Sequence, residues 1–280
     1  MKTKGILISL GLLIGCTICP LMLISQISPE NDPNWELKTG YSDEFNGLSL
    51  NPNLWNKWDV YNHPPGWWVG GSGFIPQNAY LLNGDLVLKV TPIGSGGTSG
   101  YFYSGAIQSK LSNYSYGYFE ISAKLPGFYD NGVPCGYGFW PAFWTYYTLE
   151  YNDCRIIHDE IDILEPGGDQ YANANRNVAG WHDEIIDGSN CYHYKVDEFS
   201  YYSQDPLFED YHKYAAEWLP DRIIFYFDDV PFGEVYRNPK IQMSDQYVVI
   251  GQQIGGISPP GPPWINLNTP LPQYMQVDFF

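Results

Sequence analysis

The chain has 280 residues, of which 44% are hydrophobic and 17% aromatic, enough apolar surface for a large core and more rings than packing alone requires. Fourteen Lys and Arg against thirty-one Asp and Glu give a formal net charge of -17. That charge repels a phosphate backbone and excludes nucleic acid as a partner; spread along the chain, it reads as a solvated, solubilising surface.

In chain order, Lys2 and Lys4 precede an apolar run from Gly5 to Ile24, the charge-then-apolar order of an export signal. Residues 1–26 are therefore set aside as a signal peptide or anchor. Leu13-Ile14-Gly15-Cys16 has the form of a bacterial lipoprotein cleavage box, and the whole run is long enough to span a bilayer uncleaved. A cleaved signal, a lipid on Cys16 and a membrane anchor all place the remainder outside the cytoplasm, at the cell surface or secreted. Residues 27–34, polar with two prolines, read as a linker. Residues 35–280 are then one domain, since all-β sandwiches of about 250 residues commonly form one.

Within it, short β-branched and aromatic runs such as Leu86–Val90, Tyr118–Ala123 and Ile223–Phe227 are separated by Gly, Pro, Asn and Asp clusters. Asn83-Gly84-Asp85 and Asp228-Asp229 fall between such runs as hairpin turns, which implies antiparallel pairing. Twenty-two prolines leave little room for helices. The expected fold is an all-β sandwich, with 94–100 and the Pro259 to Pro263 cluster as loops. Beyond the leader the cysteines are Cys135, Cys154 and Cys191, without the spacing of a zinc site. Cys135 and Cys154 either pair or stay buried as thiols.

The most informative stretch is Asp159-Glu160-Ile161-Asp162-Ile163-Leu164-Glu165. Strand alternation places Glu160 and Asp162 on one face and Ile161 and Ile163 on the other, but puts Glu165 on the wrong face. One extra residue, a β-bulge at Ile163-Leu164, brings all three carboxylates to one surface and both apolar side chains to the core. The outer Cα atoms then lie roughly 13 Å apart. Two glutamates leaning together by about 4 Å each leave a gap near the 5 to 5.5 Å or so of a retaining glycosidase, short of the wider gap of an inverting one. Three carboxylates this close cannot all ionise cheaply, so their pKa values split. Glu160 is read as the nucleophile, Glu165 as the acid that becomes the base, and Asp162 as the group that orients Glu160. A solvated acidic face and a calcium site built from carboxylates are the competing readings.

The same residues resemble glycoside hydrolase family 16, whose laminarinase-like branch carries a bulged Glu-x-Asp-x-x-Glu strand. Asp43–Gly47, Ser104–Ile107, Tyr116–Glu120, Trp140-Pro141-Ala142-Phe143-Trp144, Tyr211–Trp218 and Val277-Asp278-Phe279 match further blocks of that family. The resemblance implies a β-jelly roll of two antiparallel sheets with a concave cleft, endo-cleavage of β-linkages in a polysaccharide, and a covalent glycosyl-enzyme intermediate. It gives Glu160, Asp162 and Glu165 the roles argued above. His158 stands where many members have a tryptophan against the sugar, and Tyr118 where an arginine is common, so the sugar specificity is left open. Members usually continue several residues beyond the final Val-Asp, which places Phe280 inside the last strand.

Sugar rings stack their C–H faces on aromatic side chains. Trp140 and Trp144, four apart on one strand beside the carboxylates, are the first candidates, and Trp67 and Trp68 in a Pro- and Gly-rich loop suggest a rim subsite. His158, Trp181 and His182 complete the expected substrate contacts, His182 by a bond to the acid/base or a sugar hydroxyl. Relatives carry a structural calcium on the convex side, and Glu44 and Asp278 occupy those places; catalysis itself requires no cofactor. The expected protein is a monomeric endo-hydrolase of a β-1,3-glucan or related algal polymer. Transglycosylation through the same intermediate and a non-catalytic sugar-binding sandwich are the alternatives.

Overall fold

The computed structural model describes residues 35–62, 72–93, 102–150, 156–167, 171, 173–187, 190–236, 245–254 and 269–280. Residues 1–26 and 27–34, the loops at 94–100 and 259–263, Trp67, Trp68 and Cys154 lie outside them, as do the side chains of His158 and Cys191.

The strands in chain order are β1 (Trp55–Lys57), β2 (Ser72–Phe74), β3 (Ala79–Leu82), β4 (Asp85–Pro92), β5 (Phe102–Ser109) and β6 (Gly117–Lys124). Then follow β7 (Phe128–Asp130), β8 (Val133–Cys135), β9 (Phe139–Glu150), β10 (Ile156–Leu164), β11 (Arg176–Asp187) and β12 (Asn190–Tyr202). The last are β13 (His212–Trp218), β14 (Arg222–Phe227), β15 (Val230–Tyr236), β16 (Tyr247–Ile254) and β17 (Gln273–Phe279). One 3-10 turn, Pro76–Asn78, is the only helical element among the described residues, in keeping with the proline content.

Hydrogen bonds order the strands β12-β11-β10-β9-β16-β5-β4-β17-β6-β13-β14-β15. β5 and β4 share only the rungs Thr91↔Tyr103 and Pro92↔Phe102, and at this joint the path divides into two layers. The layer β12-β11-β10-β9-β16-β5 faces the layer β4-β17-β6-β13-β14-β15. Phe143, Ile161 and Ile250 of the first and Tyr214, Phe225 and Met275 of the second are fully or almost fully buried in one apolar cluster, as packed sheet faces require. At the other end Phe199 of β12 packs on Phe225 of β14, ring centroids 5.9 Å apart, and Tyr201 stacks on Phe227 at 4.5 Å. The molecule is an all-β jelly-roll sandwich.

Local chemistry explains the turns. Asn83 (φ 59°) and Gly84 (φ 97°) join β3 to β4, and Asp228 (φ 46°) and Asp229 (φ 65°) join β14 to β15. Both are the left-handed pairs whose twist matches a hairpin. The Asp228 carboxylate accepts the Lys213 backbone N–H at 2.9 Å and lies 2.8 Å from His212 Nδ1, which ties that turn to β13. The segment at Asp43 pairs with Phe280: the two residues exchange backbone hydrogen bonds of 2.7 and 2.9 Å.

β9 and β10 set the site. In β9, Phe139 and Phe143 enter the core while Trp140, Ala142 and Trp144 face the opposite way into the cleft. In β10 the register against β9 shifts between Asp162 and Leu164. This is the bulge at Ile163-Leu164, and both residues are buried in the core, at 1% and 0% exposure.

Candidate active site

β10 lies inside its layer with β9 on one side and β11 on the other. On the cleft face Glu160 stands opposite Tyr146 of β9 and His182 of β11, and Asp162 opposite Trp144 and Gly180. After the bulge Glu165 returns to the same face, its backbone N–H fixed at 2.8 Å on the Val178 carbonyl. All three carboxylates line one cleft with Trp58, Phe74, Trp140, Trp144 and Gly251.

Each carboxyl has its own surroundings. Asp162 is almost fully buried, and that burial, then the charge of Glu160 and a hydrogen bond with it, hold its pKa well above the ordinary carboxylate range. A protonated Asp162 donates to Glu160. His182 Nε2 lies 2.9 Å from Asp162 Oδ2, so the histidine stands on the middle acid rather than on Glu165. Glu165 is also raised well above its usual value, by burial first and then by the charges of Asp162 and Glu160. His182 and the indole N–H of Trp140, which donates to Glu165 Oε1 at 3.2 Å, pull the other way. The arrangement supplies a carboxyl whose pKa is raised, Glu165, beside one that accepts a hydrogen bond, Glu160.

Trp144 is half-buried, with Tyr146 stacked on it at 4.8 Å and 27°. Trp140 lines the cleft but is 4% exposed and serves chiefly as the donor to Glu165. Trp181 was expected to touch substrate, and the structure places it in the core instead, 5% exposed, its Nε1–H donating to the buried Asp159 at 3.1 Å. The reason is parity: His182 faces the cleft, so its neighbour on the strand faces away. Trp67, Trp68 and the His158 side chain lie outside the described residues.

Glu44 and Asp278 are both exposed, and no third acid or histidine gathers with them among the described residues. The one such trio among the described residues is Glu160, Asp162 and His182, with donor atoms within 4.8 Å of one another. Two of its members share a hydrogen bond, which suits proton sharing.

Sequence reasoning missed Tyr146, Trp58, Phe74 and Gly251. Tyr146 continues the alternating row of Trp140 and Trp144 and was within reach of that pattern. Trp58 and Phe74 arrive with β1 and β2, which dock on β5 from far along the chain, and carry no local signal. Trp58 Nε1–H and the Tyr146 hydroxyl both donate to Gln108 Oε1, at 3.0 and 3.2 Å, joining the two sides of the cleft.

A family model described as glycosyl hydrolases family 16 matches residues 76–258. The endo-1,3-1,4-beta-glycanase EglC of Rhizobium meliloti is 26% identical over 252 residues, which are 80% of this chain and 47% of that protein. The chain thus spans about half the length of that relative. The beta-glucanase of Rhodothermus marinus is 28% identical over 254 residues, 84% of this chain and 75% of that one. Among solved structures, the catalytic domain of an endo-1,3-beta-glucanase (laminarinase) from Thermotoga petrophila superimposes with a TM-score of 0.62 at 22% identity, covering 85% of this chain and 94% of that chain. It shares the fold.

Proposed function

The chain belongs to glycosyl hydrolases family 16, and we propose that it is a retaining, endo-acting hydrolase of a β-glucan, with a β-1,3-linked polymer as first substrate. The observation that carries this reading is the bulged strand, which turns Glu160, Asp162 and Glu165 to one cleft, where burial raises the pKa of Glu165. A solvated acidic face needs neither the bulge nor the burial.

In the first step Glu160 attacks the anomeric carbon as Glu165 passes its proton to the glycosidic oxygen. The bond between that carbon and that oxygen breaks, leaving a sugar ester on Glu160 and a free hydroxyl on the departing chain. Glu165, now a carboxylate, takes a proton from water, whose oxygen attacks the same carbon and releases Glu160. Two inversions at one carbon give net retention. Asp162, its pKa raised by burial, donates to Glu160 when protonated and fixes its orientation, while His182 Nε2 lies 2.9 Å from Asp162 Oδ2. Trp140 orients Glu165.

Release of reducing ends from laminarin, mixed-linkage glucan, agarose, carrageenan and xyloglucan, by wild type and Glu160→Gln, tests the reading. The wild type is expected to cut a β-glucan, and the variant to lose more than about a thousandfold in kcat, as loss of a nucleophile does. A wild type that binds a polymer and releases nothing is a sugar-binding module. New linkages to an added oligosaccharide, without net reducing ends, identify a transglycosylase.

A further inference from the structure

We propose that Gly251 is a specificity-determining residue: with Ala142 it floors a subsite for the hexose next to the one being cleaved. This rests on the reading of the cleft as a polysaccharide site.

Gly251 lies inside β16, paired with Ala142 of β9 on one side and Ala106 of β5 on the other. A glycine there weakens a strand relative to alanine, and glycines inside strands mark bulges, bends or close approach of another group. The backbone does not need it. Gly251 is absent from the positive-φ glycines among the described residues, and its pairing with β9 and β5 is continuous through that position. Packing constrains it at one point: the only heavy atom a Cβ would meet within 4 Å is the Ala106 methyl, at 3.3 Å, a close contact that a shift of a few tenths of an ångström relieves. Gly105, by contrast, would place a Cβ 2.1 Å from the Asn78 carbonyl oxygen, a clash that makes that glycine structural.

What the missing side chain leaves open is the cleft itself, which Gly251 lines together with the three carboxylates. Its row across the sheet is Ala142, Gly251 and Ala106, three minimal side chains side by side. The next row on one side carries Trp144, and the next on the other carries Trp140. A trough one row wide therefore leaves the carboxylates across β9 and reaches Gly251 two strand spacings from β10, about 9.6 Å. That is the reach of a ring adjoining the reacting one. Trp144 offers the wall against which its C–H face can lie.

The test is kcat, KM and product lengths for wild type, Gly251→Ala and Gly251→Val on the polymer that the wild type cuts best. A branched side chain in the trough is expected to raise KM about tenfold or more and to lengthen the products. Alanine gives a smaller change in the same direction. If Gly251→Val fails to fold, Ala142→Val fills the same trough from the neighbouring strand and is expected to give the same change. Folded variants with wild-type KM and products overturn the proposal and leave the hydrolase reading intact. A wild type that cuts no polymer overturns both.

Discussion

In the proposed reaction Glu165 must hold a proton to release the leaving group, and its pKa is raised by burial and by two neighbouring acids. Activity therefore falls on the alkaline side as pH passes that raised value. The Trp140 N–H favours the charged form and restrains the rise. Trp140→Phe removes the donor, so the alkaline limb of kcat/KM is expected to move to higher pH, which a pH–rate profile of wild type and variant reads directly. An unmoved limb, or one moved to lower pH, would remove Trp140 from this role. Asp162 and Glu165 are both raised in the fold, so whatever stability their neutral forms provide is complete below the ordinary carboxylate range and is lost as pH rises through the folded values. At this scale the sequence was readable wherever chemistry repeats along one strand, as for Glu160, Asp162 and Trp144. It misled at Trp181, because two adjacent strand residues were assigned to one face. His182 was expected to bond the acid/base or a sugar hydroxyl, yet its near neighbour is Asp162, a choice made by diagonal geometry across two strands.

Among the elements, the bulge in β10 was legible because the motif breaks a period of two, and a broken period has few physical repairs. The hairpins at Asn83-Gly84 and Asp228-Asp229 were legible because few residues tolerate left-handed backbone. The docking of β1 and β2 on β5 was not, since nothing local in Trp58 or Phe74 marks a partner some thirty to fifty residues away. The same holds for closure between β12 and β15. There, a Cβ on Gly233 would lie 2.5 Å from the Phe199 ring and 2.8 Å from its Cβ, with that ring already packed on Phe225. Gly233→Ala is expected to destabilise the fold by about 1 to 3 kcal/mol through overpacking, measured as a lowered urea midpoint with the slope unchanged. A midpoint equal to wild type would show that β15 moves freely away from β12.

For the whole molecule, the charge of -17 acts against compaction, and salt screens that repulsion over a Debye length of about 30 Å at 0.01 M and about 8 Å at 0.15 M. The melting temperature is expected to rise between those two ionic strengths at pH 7, while KM for an uncharged glucan stays constant because stacking and hydrogen bonds carry no net charge. A melting temperature that falls with salt would mean that the few cations hold ion pairs outweighing the general repulsion. The sandwich class was legible from turn spacing and alternation. The order of strands was not, because non-local pairing has no signature in composition.

The place of β10, inside its layer with partners on both sides, divides the cleft into two kinds of position. A change on β10 is felt by both neighbouring strands. Phe74 and Gly251 lie on β2 and β16 and Trp58 just after β1, each reaching the cleft from its own part of the chain. In physical terms these three can be exchanged one at a time, reshaping the wall that faces a ligand without disturbing the strand that carries the carboxylates.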